Sequence, residues 1–125
     1  MATILIVDDE PAILTFVTKI LEAANYTVIS ASDGVHGLQL AKSALPDVVV
    51  LDINLPQLSG LNVCKELKSS DATKHIGIIL ITAAYTSMEE ARMGEDSGAD
   101  EYVIKPFLRE VLLHNVERLL PPSAT

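Results

Sequence analysis

Val48-Val49-Val50-Leu51-Asp52 carries four consecutive apolar residues, three of them β-branched, straight into a carboxylate. A run of this kind lacks period-two alternation, so it reads as a strand buried on both faces, as in a parallel sheet covered by helices on either side. The pattern recurs outward along the chain: Ile4-Leu5-Ile6-Val7 into Asp8-Asp9, Ile78-Ile79-Leu80-Ile81 into Thr82, and Tyr102-Val103-Ile104 into Lys105. In an open parallel sheet the carboxyl ends of the strands line the ligand crevice. Three carboxylates, a hydroxyl and an ammonium are thereby predicted to meet in one place.

Between these runs lie helical patterns. Pro11 suits the first position of a helix, and Ile13, Val17, Ile20 and Leu21 follow at helical spacing. Thr27-Val28-Ile29-Ser30 reads as a second strand; it ends on Ser30-Ala31-Ser32 rather than on an acid, which fits an edge position away from the crevice. Asp33-Gly34 reads as a cap before a second helix, because an aspartate there accepts from free helix amides. A third helix is expected over 61–68, a fourth, acidic one around 87–97, and a last one from about Leu108 to Leu120, ended by Pro121-Pro122. Five strands alternating with five helices specify an α/β layered fold with right-handed crossovers. One domain over residues 1–120 is expected, with 121–125 as a short tail.

Size and composition narrow the function. A chain of 125 residues buries roughly two-thirds of its unfolded surface, enough for a core without disulfides or structural metals. Nine Lys and Arg against 17 Asp and Glu leave a formal charge of −8, which disfavours direct nucleic-acid contact and attracts cations. The single cysteine, Cys64, cannot close an internal disulfide and reads as a small core residue, in keeping with a reducing, cytoplasmic setting. No apolar stretch approaches the ~20 residues that span a bilayer, so no membrane insertion is expected.

Three carboxylates in one crevice repel one another, and partial burial raises at least one pKa unless a cation compensates. Carboxylate and carbonyl oxygens without nearby His or Cys favour a hard ion, and Mg²⁺ characteristically takes one or two carboxylates, several waters and a phosphate oxygen. Lys105 is a point-charge partner for phosphate, and the Thr82 hydroxyl a donor to a phosphoryl oxygen. Asp52 is then the nucleophile, since a carboxylate can form an acyl phosphate. No glycine-rich phosphate loop is present, so the phosphoryl donor is expected to be something other than a simply bound nucleotide.

The chain resembles a response-regulator receiver domain of two-component signalling from about Thr3 to Leu120. Four segments carry the likeness: Val7-Asp8-Asp9-Glu10-Pro11, residues 51–60 from Leu51-Asp52 to Ser59-Gly60, Ile81-Thr82-Ala83-Ala84, and residues 98–107 from Gly98-Ala99-Asp100 to Lys105-Pro106-Phe107. Each alone is weak; together, in this order and at these separations, they are specific. The resemblance implies a flavodoxin-like (βα)5 doubly wound sandwich, with a five-stranded parallel sheet in the order 2-1-3-4-5. It implies that Asp52 accepts phosphate from a histidine kinase or a histidine phosphotransfer protein, and that Mg²⁺ is held by Asp8, Asp9, Asp52 and the backbone carbonyl of Asn54. It further implies a cis peptide between Lys105 and Pro106, a Thr82–Tyr102 switch pair, a downstream effector protein as a second partner, and no turnover of a metabolite. A monomer or weak dimer is expected, since the last helix holds His114, Asn115 and Glu117 where dimerising relatives usually carry paired Lys and Arg.

Several residues have plainer readings. Tyr102 suits a half-buried strand whether or not it signals. His36, His75 and His114 lack ligand spacing, Met88 and Met93 read as packing, and Gly60 and Gly98 read as positions needing positive φ. Ala84 offers no polar group to hold an attacking water, so slow loss of phosphate from Asp52 is expected. Leu14, at the margin of the first helix's apolar face, reads as core-edge packing or as a docking contact for a phosphotransfer partner. Two rival functions remain open on the residues alone: a Mg²⁺-dependent phosphohydrolase, which lacks an evident general acid beside Asp52, and an FMN-binding module, whose phosphate an acidic crevice repels.

Overall fold

The computed structural model describes residues 2–83, 92 and 96–120. Five strands, β1 (Thr3–Val7), β2 (Thr27–Ala31), β3 (Val48–Asp52), β4 (Gly77–Thr82) and β5 (Glu101–Ile104), alternate with α1 (Pro11–Ala23), α2 (Gly34–Ala44) and α3 (Gly60–Ser69), and α4 (Arg109–Leu119) follows β5. All pairings are parallel, and the sheet order is β2-β1-β3-β4-β5. The acidic helix expected around 87–97 lies largely outside the described residues, as do Ala84, Met88, Met93 and the tail 121–125.

The two faces of the sheet bury alternate residues of the same strands. Ile4, Ile6, Val48, Val50, Ile79, Ile81 and Val103 form one core with Val17, Ile20 and Leu21 of α1 and Leu112 and Val116 of α4. Leu5, Val7, Val49, Leu51, Ile78 and Leu80 form the other with Ala41 of α2 and Val63, Cys64 and Leu67 of α3. Burying one such side chain stabilises the fold by roughly 1.5–3 kcal/mol. This two-sided demand is why β1, β3 and β4 carry unbroken apolar runs.

The edge strands depart from that rule. β2 is an edge strand, as its polar end led one to expect, with Thr27 and Ser30 exposed and Val28 and Ile29 half-buried. β5 is the opposite edge, as the expected 2-1-3-4-5 order places it, but it is not buried on both faces like the other runs: Val103 is buried, Tyr102 is half-buried and Ile104 is 52% exposed.

Local signals set the helix starts. Asp33 Oδ1 accepts from the His36 N–H at 2.8 Å and its Oδ2 lies 2.7 Å from His36 Nδ1; these contacts, led by the backbone bond, hold the Asp33 carboxyl below the usual carboxylate range. Ser59 caps α3 through Asn62 N–H at 3.3 Å. Gly98 has a φ of +87°, as expected. Gly60 does not: it is the first residue of α3, and a Cβ there would overlap the Asp52 carbonyl, so close approach rather than positive φ demands the glycine. Cys64 is buried, with Sγ 3.4 Å from the Ser97 carbonyl, and burial pushes its thiol up.

Candidate functional site

The sheet order brings the ends of β1, β3, β4 and β5 to one rim. Asp8 follows β1, its backbone N–H bonded to the Ala31 carbonyl at 3.2 Å, and is fully buried. Asp52 ends β3, paired with Ile81, and is 3% exposed. Thr82 ends β4 and is buried. Lys105 follows β5; its backbone N–H donates to the Thr82 carbonyl at 2.7 Å, which ties the two strand ends together. The Lys105–Pro106 peptide is cis, as expected.

Around the Lys105 ammonium the charges are dense. Nζ lies 3.3 Å from Asp52 Oδ2, 3.2 Å from Asp8 Oδ2 and 3.1 Å from Glu10 Oε1. Burial alone draws an ammonium down, but the carboxylates of Glu10, Asp52 and Asp8 outweigh it and hold Lys105 well above the ordinary lysine range. Burial, followed by the Asp8 charge, pushes the Asp52 carboxyl up; the Asn54 N–H at 3.1 Å and Lys105 pull it back. Opposed influences on one carboxylate are characteristic of functional sites.

Asp8 shows what the site can take up. Its Oδ1 accepts the Glu10 N–H at 2.9 Å, whereas Oδ2 is a buried oxygen with no hydrogen-bond partner among the described residues, its ion-pair contact being the Lys105 ammonium at 3.2 Å. Oxygens of Asp8, Asp9, Glu10 and Asp52 all lie within 4.8 Å of one another. An all-oxygen set with an orphaned buried carboxylate oxygen fits a hard divalent cation and suits neither zinc nor copper.

Of the residues expected at the site, Asp8, Asp9, Asp52 and Lys105 converge, and Thr82 is joined to Lys105 through the backbone. Asn54 is exposed and contributes its N–H to Asp52 Oδ1. Tyr102 packs with the α2–α3 core, one strand position before Val103. Leu14 is half-buried against the α1–α4 core. His36, His75 and His114 are exposed and on separate elements. Glu10 was not singled out from sequence. It sits before Pro11, where it reads as the helix N-cap, yet its side chain caps nothing in α1 and reaches Lys105 instead, 95 residues away.

A five-stranded 2-1-3-4-5 sheet with acids after β1 and β3 and a lysine after β5 defines a phosphoacceptor switch module. The chain belongs to the response regulator receiver domain family, whose model matches residues 4–117. It is 42% identical over 120 residues to the DNA-binding dual master transcriptional regulator RpaA of Synechocystis sp., covering 96% of this chain and 49% of that protein. It is 41% identical to the alkaline phosphatase synthesis transcriptional regulatory protein PhoP of Bacillus subtilis, covering 96% and 49%. The chain thus spans about half the length of the curated relatives it matches. Among solved structures, the chemotaxis response regulator CheY4 of Vibrio cholerae superposes with a TM-score of 0.88 at 35% identity, covering 96% of this chain and 99% of that one. The receiver domain of the sensor histidine kinase PA1611 from Pseudomonas aeruginosa, solved with a magnesium ion coordinated in its active site cleft, superposes with a TM-score of 0.87 at 26% identity, covering 94% and 96%.

Proposed function

We propose that Asp52 is the phosphoacceptor of this receiver, that Asp8 and Asp9, with Asp52 and the Asn54 carbonyl, hold Mg²⁺, and that Thr82, Lys105 and Tyr102 read out the phosphorylated state. The observation that carries this reading is the environment of Asp52: a buried carboxylate, pushed up by burial and by Asp8, whose Oδ2 faces the Lys105 ammonium at 3.3 Å. The magnesium in the PA1611 receiver and the orphaned Asp8 Oδ2 both support the metal assignment.

Asp52 supplies the attacking oxygen, and its Oδ1 is oriented by the Asn54 N–H. Lys105 supplies a fixed positive charge against the oxygens of the transferred group, where positioning and electrostatics do most of the work of phosphoryl transfer. Bound Mg²⁺ would supply further charge neutralisation on the phosphoryl oxygens. The Thr82 hydroxyl donates to a phosphoryl oxygen, and the β4–β5 link through Lys105 N–H carries the change to Tyr102, a two-state bias rather than a rigid wire. The phosphoryl donor is a histidine kinase or histidine phosphotransfer protein, the setting is cytoplasmic, and no metabolite is turned over. A charge of −8 assigns nucleic-acid contact to no part of this unit. Among the described residues no helix is long and apolar enough to cross a membrane.

The test is incubation with acetyl phosphate and Mg²⁺ followed by intact-mass analysis. One phosphoryl group per chain, absent without Mg²⁺ and absent in Asp52→Asn, supports the reading; label retained in Asp52→Asn refutes it. Sustained release of inorganic phosphate over many equivalents would instead favour a phosphohydrolase.

A further inference from the structure

We infer that Glu10 is a positioning residue that restrains Lys105, competing with the incoming phosphoryl group for its ammonium. The inference rests on the phosphoacceptor reading of Asp52. The Lys105 ammonium donates to Glu10 Oε1 at 3.1 Å and to Asp52 Oδ2 at 3.3 Å, and it stands in ion-pair contact 3.2 Å from Asp8 Oδ2. For Lys105 to turn towards a phosphoryl group on Asp52, it must weaken one of these contacts. Asp8 and Asp52 are buried, and taking the ammonium's positive charge away from either carboxylate is costly. The Glu10 side chain is 58% exposed, so water takes over its solvation when Lys105 leaves. Glu10 is therefore the partner Lys105 gives up.

The local structure shows that this side chain is free for such a task. Glu10 occupies the N-cap of α1, but the helix start is secured by other means: Pro11 fills the first position, and the Glu10 carbonyl, a backbone group, accepts from Ile13 and Leu14 at 3.1 Å. Neutralising the carboxylate removes no helix cap. It removes one unit of negative charge from the rim through which an anionic donor enters, and releases the ammonium.

The step affected is attack of an Asp52 carboxylate oxygen on phosphorus. The new P–O bond forms as the bond from phosphorus to the acetyl oxygen of acetyl phosphate breaks, acetate leaving with the electron pair. Carboxylate and phosphodianion on one side, acyl phosphate dianion and acetate on the other, carry the same charge, and no proton is required.

The experiment is a double-mutant cycle on the rate of labelling by acetyl phosphate at saturating Mg²⁺. Glu10→Gln is expected to be labelled roughly three- to tenfold faster than wild type, the lower end of what a local charge contributes to association, with the gain shrinking as salt is raised. Glu22→Gln, which removes an exposed acid from the far end of α1, is expected to show less than a twofold change. In a Lys105→Met background the part of the Glu10→Gln gain that runs through the ammonium is expected to be lost, leaving only the smaller, salt-sensitive effect of the removed rim charge. A gain that survives undiminished without Lys105, or no gain in Glu10→Gln, overturns the inference while leaving Asp52 as acceptor. Absence of label from the wild type, or its retention in Asp52→Asn, overturns the acceptor assignment itself and this inference with it.

Discussion

The first residue of α3, Gly60, lies against the carbonyl of Asp52, and its own N–H donates to the Ile53 carbonyl at 2.9 Å. The loop leaving the acceptor strand is thus folded back on itself so tightly that no side chain fits. Gly60→Ala is expected to force the 52–60 loop open. A loss of roughly 3 kcal/mol in urea unfolding is expected, at the upper end for overpacking, and labelling of Asp52 is expected to fall with it because the Asn54 N–H that orients the carboxylate sits in the same loop.

Asp52 itself is a source of instability without metal. Its folded carboxyl is held above the unfolded value, so its favourable contribution is complete below the unfolded pKa, near 4, and is lost as pH rises through the folded pKa. Asp52→Asn is therefore expected to raise the urea midpoint of the metal-free protein at pH 7. The gain should diminish as the pH is lowered towards 4. A midpoint difference independent of pH would refute this account.

Metal binding offers the complementary measurement. Any ligand that binds only the folded chain stabilises it by mass action, about 2.7 kcal/mol at a hundredfold excess over Kd. Titration with Mg²⁺ is expected to raise the melting temperature of the wild type, and Asp8→Asn to remove most of that rise, because the orphaned Oδ2 is the oxygen best placed to bind. Chelation with excess EDTA should reverse the shift.

At the opposite end of the sheet, Asp100 fixes where β4 and β5 begin. Its Oδ2 accepts the Ile78 N–H at 2.8 Å and stands 2.9 Å from Lys68 Nζ, while its own N–H donates to the Ile78 carbonyl at 2.9 Å. Asp100→Ala strands the Ile78 N–H and removes the counter-charge of Lys68, whose ammonium keeps its bonds to the Ile76 and Lys74 carbonyls at 2.7 and 3.2 Å. A cost of about 2 kcal/mol in chemical denaturation is expected, with little change in labelling at Asp52 since the substitution lies at the far end of both strands.

The parts of this molecule legible in its sequence are those fixed by short-range rules. The runs of β1, β3 and β4 announce burial on two faces, Asp33 and Pro11 announce helix starts, and the acids at strand ends announce a crevice once the strands are taken to be parallel. The apolar run Tyr102-Val103-Ile104 overstated burial: it has the composition of a central strand, whereas the 2-1-3-4-5 order puts it at an edge, with Ile104 exposed. Gly60 was legible as a glycine that matters, but its reason, an approach to the Asp52 carbonyl eight residues earlier, is tertiary. Glu10 carried no local signal of its role, because the ammonium it meets follows the last strand, 95 residues on.

That separation has a consequence for synthesis. Asp8, Glu10 and Asp52 are all translated before Lys105, whose ammonium lies within 3.3 Å of each, so a nascent chain interrupted ahead of it carries these acids without that counter-charge. On the proposed acceptor role, competence to be charged with phosphate arrives late, with the final strand, and a product truncated before Lys105 is expected to take no label from acetyl phosphate.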